Sequence, residues 1–451
     1  MTLHAVTGEP AKQQLSSRAG FRNPAGPGFA LSGVRSVVAV GLLAAAVVAG
    51  VPGSREPARA AGDFTPVSEF RPFPRVNGLG RTAISHAVDA DRRRWFFTTS
   101  GDASPTAGND LRQRVWLFDL DALVPIGAPL VLPGGAARPM IAAVDPGTGV
   151  AFISYAGVGS VHIAVIGSSP TGPVLLRDWD TGPAVRSVRA AYALEPRGVD
   201  IFDGKAYLAL DAPNAHPREV GLIRLDMARL IGNGDPLDWR FSSTLCPSLP
   251  YYNGAAAVGK SRTAAAIFLP CRAVQAGSDL QGVVAIETGD VKADDATKFV
   301  ETYYPISGDY GTAESFFDPV SDRLAMRRVA PAQLVVFDGR HRRWGRPVLF
   351  GQNNLYQSGL NRVTGRLYGQ GNDPGAGDDR EFVYVPELRT TPPQNGLFLP
   401  FPTPSPGSTS AAVGTLAIDE RTDRVFVADV EPGEADGPTK GLFFHVYQET
   451  R

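Results

Sequence analysis

The chain has 451 residues, Lys+Arg 44 against Asp+Glu 45 and a formal net charge of −1. That balance excludes a nucleic-acid binder working through bulk charge, which would carry a basic excess or stripe. Apolar residues at 43% and charged residues at 20% exclude disorder, and two Cys with six His are too few soft ligands for a zinc or haem site.

Residues 1–33 are polar and without hydrophobic period, so they are expected to be a disordered extension. Arg35 then precedes Val37–Val51, an apolar run of 15 residues that falls short of the about 20 needed to cross a bilayer. Residues 34–60 therefore read as a secretory signal peptide, with the A-x-A tripeptide Ala58-Arg59-Ala60 placing cleavage before Ala61. The alternative is an uncleaved signal anchor that tethers the chain. No Cys follows the run, which excludes a lipoprotein, and no twin arginine precedes it, which favours a Sec-type route. The mature chain, 61–451, is expected to be a single exported domain, monomeric, with no membrane span and no nucleic-acid partner.

That mature chain is a repeat. A stretch ending in Asp, a short turn and an alternating apolar stretch recur as HAVDADRRRWFFTTS from His86, AAVDPGTGVAFISYA from Ala142 and GVDIFDGKAYLALDA from Gly198. Later copies are SFFDPVSDRLAMRRV from Ser315, SGLNRVTGRLYGQGN from Ser358 and LAIDERTDRVFVADV from Leu416, with a degenerate AAAVGKSRTAAAIFL from Ala255. Their anchors are Asp89, Asp145, Asp200, Gly259, Asp318, Asn361 and Asp419. Each copy continues into a further Val/Ile/Phe-rich stretch, beginning at Val115, Val161, Gly221, Gly282, Gln333, Glu381 and Gly441. Short β-branched and aromatic runs between Gly, Pro and Asp turns are strands. Three strands per copy plus a weaker outer one predict a four-stranded blade, and seven copies predict an all-β, seven-bladed β-propeller. The last copy stops after its third strand at Tyr447, so the segment around Val67–Val76 is expected to supply its outer strand and close the ring.

The D-x-x-x-R/G unit followed by four apolar positions resembles the YVTN-type seven-bladed propellers, whose members include lactonase-like and amine-dehydrogenase-like proteins. The tetrapeptide itself is loosened here to forms such as VFVAD at Val425 and AYLAL at Ala206. The resemblance implies architecture. No member's catalytic set matches this chain residue by residue, so it implies no activity.

Gly254–Ser261 reads G-x-x-x-x-G-K-S, the phosphate-cradling loop, whose mechanism requires a helix immediately after it. Here the Gly-Lys-Ser-Arg piece aligns with the Asp turns of the other copies, and the residues beyond read as strand, so no such role is expected. No G-x-S-x-G, H-E-x-x-H or S-x-x-K motif stands in a suitable setting. Cys246 and Cys271 are expected to form a disulfide in an exported chain, or else to be two buried thiols.

Propeller topology gathers the loops entering each inner strand on one face of the central channel. Residues three to eight before each anchor should converge there: Arg81, His86, Arg138, Tyr192, Glu195, Arg197, Tyr252, Asn253, Tyr310, Glu314, Asn354 and Tyr356. Aromatics, amides and a few charges round a concave mouth suit a small molecule, glycan or protein. Glu195, Asn253, Glu314 and Asn354 fall in consecutive copies and are hard oxygen ligands suited to calcium; water-satisfied channel residues are the alternative. Two function classes follow. One is a binding propeller; the other is a metal-assisted lactonase or other hydrolase with Glu195 or Glu314 as base.

Overall fold

The structure is a computed structural model. It describes residues 64–77, 85–100, 113–133, 141–156, 160–182, 195–211, 219–249, 257–275, 278–289, 296–306, 312–329, 332–349, 354–372, 381–384, 388–390, 398–400, 416–430 and 439–449. The chain divides into Met1–Pro57 and Ala58–Arg451. The first unit, and the rest of the signal segment up to residue 60, lie outside the described residues. Among the described residues no helix is long and apolar enough to cross a membrane.

The second unit is an all-β propeller of four-stranded antiparallel blades. Each sequence copy lies on a sheet of its own, and the described strands form seven sheets. Sheet one orders Ser85–Asp89, Arg94–Ser100, Gln113–Asp119 and Leu130–Val131, and sheet two Ile141–Val144, Ala151–Ala156, Val161–Ser169 and Gly172–Asp180. Sheet three runs Glu195–Phe202, Lys205–Asp211, Val220–Asp226 and Leu237–Ser243; sheet four runs Gly259–Lys260, Ala266–Gln275, Ser278–Glu287 and Val300–Ile306. In sheet five, Thr312–Asp318, Arg323–Val329 and Ala332–Asp338 are followed by an outer strand broken into Arg343–Trp344 and Val348–Leu349, at Gly345 and Pro347. Sheet six comprises Asn354–Asn361, Arg366–Asn372, Glu381–Tyr384 and Phe398–Pro400. Sheet seven orders Ala417–Asp419, Arg424–Val430 and Thr439–Glu449, with Phe64–Asn77 paired antiparallel outside the last of these. The N-terminal strand thus covers the edge that the C-terminal hairpin would otherwise expose.

Turn chemistry explains the anchors. Asp145 accepts from the Gly147 N–H at 3.1 Å and the Thr148 hydroxyl at 2.7 Å. Asn361 Oδ1 likewise accepts from the Val363 and Thr364 N–H groups. Four residues past the anchor the chain enters the left-handed region, at Gly149 (φ 71) and Gly365 (φ 77), but also at Arg93 (φ 57), Asp322 (φ 54) and Asp423 (φ 57). A non-glycine residue with positive φ is uncommon and calls for compensation. Arg93 receives it from the ion pairs, and Asp322 from the Ser261 and Thr263 hydroxyls, described below. Asp200 departs from the pattern: its hairpin continues to a tight turn at Asp203-Gly204, both with positive φ.

Seven hydrophobic clusters lie between neighbouring sheets. Trp95, Phe97 and Phe118 of sheet one meet Phe426 and Phe444 of sheet seven, with Trp95 and Phe426 centroids 4.6 Å apart. Further clusters join sheets one and two, two and three, three and four, four and five, five and six, and six and seven. Burying each large apolar side chain stabilises by roughly 1.5–3 kcal/mol, so the inter-sheet faces hold the fold together. Cys246 and Cys271 are bridged, with Cα atoms 5.4 Å apart and both residues buried. The bridge fastens the connection after sheet three to the second strand of sheet four. In the chain-entropy model, closing such a loop stabilises by roughly 3 kcal/mol.

Candidate functional site

The inner strands surround a cavity of about 740 Å³, lined by residues 86–91, 142–144, 199–201, 257–258, 315–317 and 359–360 with Leu416 and Ile418. Every sheet therefore contributes to one central channel. Strand alternation selects what faces it. His86, Val88 and Ala90 are half-buried, whereas Ala87 and Asp89 between them are buried. Val199 and Ile201 alternate with buried Gly198 and Asp200 in the same way. The channel wall between its two ends is consequently mostly apolar, with Val88, Val199, Ile201, Phe316 and Leu360 among its lining.

Glu195 and Arg197 lie on the inner strand of sheet three, Glu314 on that of sheet five and Asn354 and Tyr356 on that of sheet six, each towards the end at which the chain enters the strand, with His86 at the corresponding edge of sheet one. His86 is half-buried, 6.1 Å from both the Trp95 and Phe97 ring centroids. The side chains of Glu195, Glu314, Asn354 and Tyr356 lie outside the described residues, as do Arg81, Arg138, Tyr192, Tyr252, Asn253 and Tyr310 entirely. Three inner strands carry a register shift at this end: between Pro196 and Gly198, Thr312 and Glu314, and Leu355 and Gln357. The residues the register skips are Arg197, Ala313 and Tyr356. A bulge re-aims the side chains around it and is frequent beside binding sites. Apolar periodicity carries no trace of these bulges, because one extra residue in a short polar stretch changes no pattern. Among the described residues no group of three or more His, Cys, Asp or Glu is placed to hold a metal. The proposed calcium ligands have their side chains outside that set.

The opposite end, formed by the Asp turns, is locked. Arg93 forks onto Asp419 across the junction of sheets one and seven, at 2.8 and 2.7 Å, and also reaches Asp121 at 2.7 Å. Arg262 forks onto Asp200 at 2.8 and 2.9 Å, joining sheets four and three. Arg389 forks onto Asp318 at 2.9 Å through both nitrogens, joining six and five. Burial would raise the Asp318 carboxyl, but the Arg389 fork and the Ser321 hydroxyl outweigh it and hold it below the usual range. Ser261 and Thr263 donate to Asp322, Asn361 to Asp423, Arg92 to the Pro146 and Gly147 carbonyls, and Arg177 to the Leu230 and Gly234 carbonyls. These contacts bridge the remaining junctions. Paired, forked guanidinium–carboxylate contacts of this kind are among the strongest polar interactions.

Lys260 of the phosphate-loop look-alike is almost fully buried, at 1% exposure. Its ammonium donates to the carbonyls of Ser261, Ala264 and Ala266 at 3.2–3.4 Å, and a strand follows at Ala266. A Cβ on Gly259 would lie 2.3 Å from the Phe317 ring. The glycine and lysine thus serve packing between sheets four and five, and no phosphate could reach the amine. On the outer strands of sheet two, Asp178 accepts the Tyr155 hydroxyl at 2.8 Å and sits 3.1 Å from His162 Nδ1. Burial and this carboxylate push the Tyr155 hydroxyl up, so it stays protonated.

No family model matches the chain, and no curated protein matches it. Among solved structures, a chain in the crystal structure of a mitotic checkpoint complex is similar with a TM-score of 0.50 and 9% identity, over 92% of this chain and 98% of that one. Chaetomium thermophilum Raptor is similar with a TM-score of 0.51 and 7% identity over 87% of this chain, which spans 29% of Raptor's length. At these identities the likeness shows the propeller fold alone.

Proposed function

We propose that the mature chain is an exported, seven-bladed propeller of the YVTN type that binds a small molecule, glycan or protein at the channel end opposite the Asp turns. The carrying observation is the asymmetry of the two ends. Most anchor carboxylates and turn arginines at one end are spent on bonds within the chain, while three of the inner strands are bulged at the other. The ring reading rests on seven sheets with seven clusters between them and on the pairing of Phe64–Asn77 with the last strand. Glu195→Gln and Glu314→Gln should weaken binding of the physiological ligand while changing stability by no more than about 0.5 kcal/mol each. Full function in both variants, with loss on changing the Asp-turn end, would place the site on the wrong face. The hydrolase reading differs in one measurable respect: purified protein would retain calcium, and the same two variants would release it.

Export is part of the proposal, motivated by the apolar run, the A-x-A tripeptide and the buried disulfide. N-terminal sequencing of exported material should find a start at or near Ala61. A product that begins at residue 1 and stays in the membrane would instead be a tethered propeller.

A further inference from the structure

At the Asp-turn end of sheets five and six, positive charge is exposed and negative charge is covered. The segment 340–346 carries Arg340, His341, Arg342, Arg343 and Arg346, and all of these but Arg342 are exposed. Arg343 and Arg346 make no hydrogen bond or ion pair among the described residues. The acids nearby are withdrawn. Asp318 and Asp322 are buried, Asp338 is largely covered and held on His341, and half-buried Glu420 accepts the Arg362 backbone N–H at 2.8 Å. Two aliphatic side chains project from the same surface, Val320 at 57% exposure and Val363 at 62%. Their turns are tied together. Arg340 Nη2 donates to the Val320 carbonyl at 2.6 Å, and Arg389, forked onto Asp318, donates to the Val363 and Arg362 carbonyls at 2.7 and 2.6 Å. Arg362, exposed, adds its charge beside Val363.

From this arrangement we infer that sheets five and six dock the protein on an anionic lipid surface, with the arginines meeting the headgroups and Val320 and Val363 entering the interface between them. Basic side chains close to an anionic leaflet and aliphatic tips at headgroup depth each add to such binding. A soluble polyanion would use the arginines but gain nothing from the valines. The whole chain stands at −1, yet covering the local carboxylates leaves this one surface positive. The inference goes beyond ligand binding at the bulged end and does not depend on it, and docking leaves that end facing away from the lipid.

Every described strand lies within Phe64–Glu449, so the chain from Ala61 keeps the whole propeller and lacks the apolar run Val37–Val51, which would bind lipid by itself. Co-sedimentation of that chain with vesicles of phosphatidylglycerol and phosphatidylcholine in equal parts tests the inference. It should bind them roughly tenfold more tightly than vesicles of phosphatidylcholine alone, and about 0.5 M salt should release it. Arg343→Gln and Arg346→Gln should each weaken binding about fivefold at an unchanged unfolding midpoint, since neither side chain has a partner to lose. The double variant Val320→Ser/Val363→Ser should weaken vesicle binding roughly tenfold and leave binding to dextran sulfate unchanged. Equal binding to both kinds of vesicle, or no loss in the arginine variants, would overturn the inference. Loss in the arginine variants without loss in the valine variant would overturn it too, and would mark a surface for a soluble polyanion instead.

Discussion

Arg93→Ala should lower the unfolding free energy by about 3 kcal/mol, read from the urea midpoint at unchanged slope. Asp419 has no exposed side-chain surface, and Arg93 supplies both of its guanidinium contacts. Removing the cation leaves a buried carboxylate whose remaining donors are the Arg421 N–H and the Thr422 hydroxyl. A broken buried pair costs about 3–5 kcal/mol, and these two surviving donors put the loss at the lower end. Relief of the positive φ at Arg93 does not follow, because alanine has the same difficulty in the left-handed region. Arg93→Lys should recover only part of the loss, since one ammonium cannot fork onto Asp419 and reach Asp121 together. A double-mutant cycle with Asp419→Asn should give a coupling above 1 kcal/mol. A change within 0.5 kcal/mol for Arg93→Ala would mean that the aromatic cluster of Trp95, Phe426 and Phe444 alone holds sheets one and seven together.

Lys260→Met should stabilise the protein at neutral pH, by a few kcal/mol at most, and the gain should vanish in alkali. Burial, reinforced by the Arg262 charge, pushes the Lys260 ammonium down to about 8 from an ordinary 10.5. The unfolded chain therefore binds the proton more tightly than the folded one. Below pH 8 both states are protonated and the folded state carries the whole penalty, which at 1.36 kcal/mol per unit is about 3 kcal/mol. Stability contributed at this position rises as the pH climbs from 8 to 10.5 and is level beyond. Three carbonyl contacts at 3.2–3.4 Å are long and offset part of that penalty. Methionine fills a similar volume without a charge. Thermal midpoints of the two proteins compared at pH 7 and pH 10.5 decide the matter. A variant less stable than the parent at pH 7 would show that the carbonyl contacts outweigh desolvation.

Much of the architecture is already written in local pattern. Strand period, the Asp turns and their recurrence place each hairpin, from the stretch after His86 to that after Leu416, because period and turn chemistry act between residues a few positions apart. The edge left by the last copy points to the segment around Val67–Val76 as its partner for the same reason: an unpaired strand needs one. The strand reading of the residues after Gly259-Lys260-Ser261 excludes the phosphate loop without reference to any neighbour. Other features depend on which sheet stands beside which. The anchor carboxylates look in sequence like turn formers only; that Asp200, Asp318 and Asp419 also receive an arginine from the next sheet, 62 to 326 positions away, appears only in the packed ring. The apolar channel wall and the bulges at Arg197, Ala313 and Tyr356 are likewise invisible in sequence, since each depends on pairing register or on what lies across the channel. Local chemistry determines the strands and turns, whereas desolvation and charge pairing between distant residues are decided only when the sheets meet.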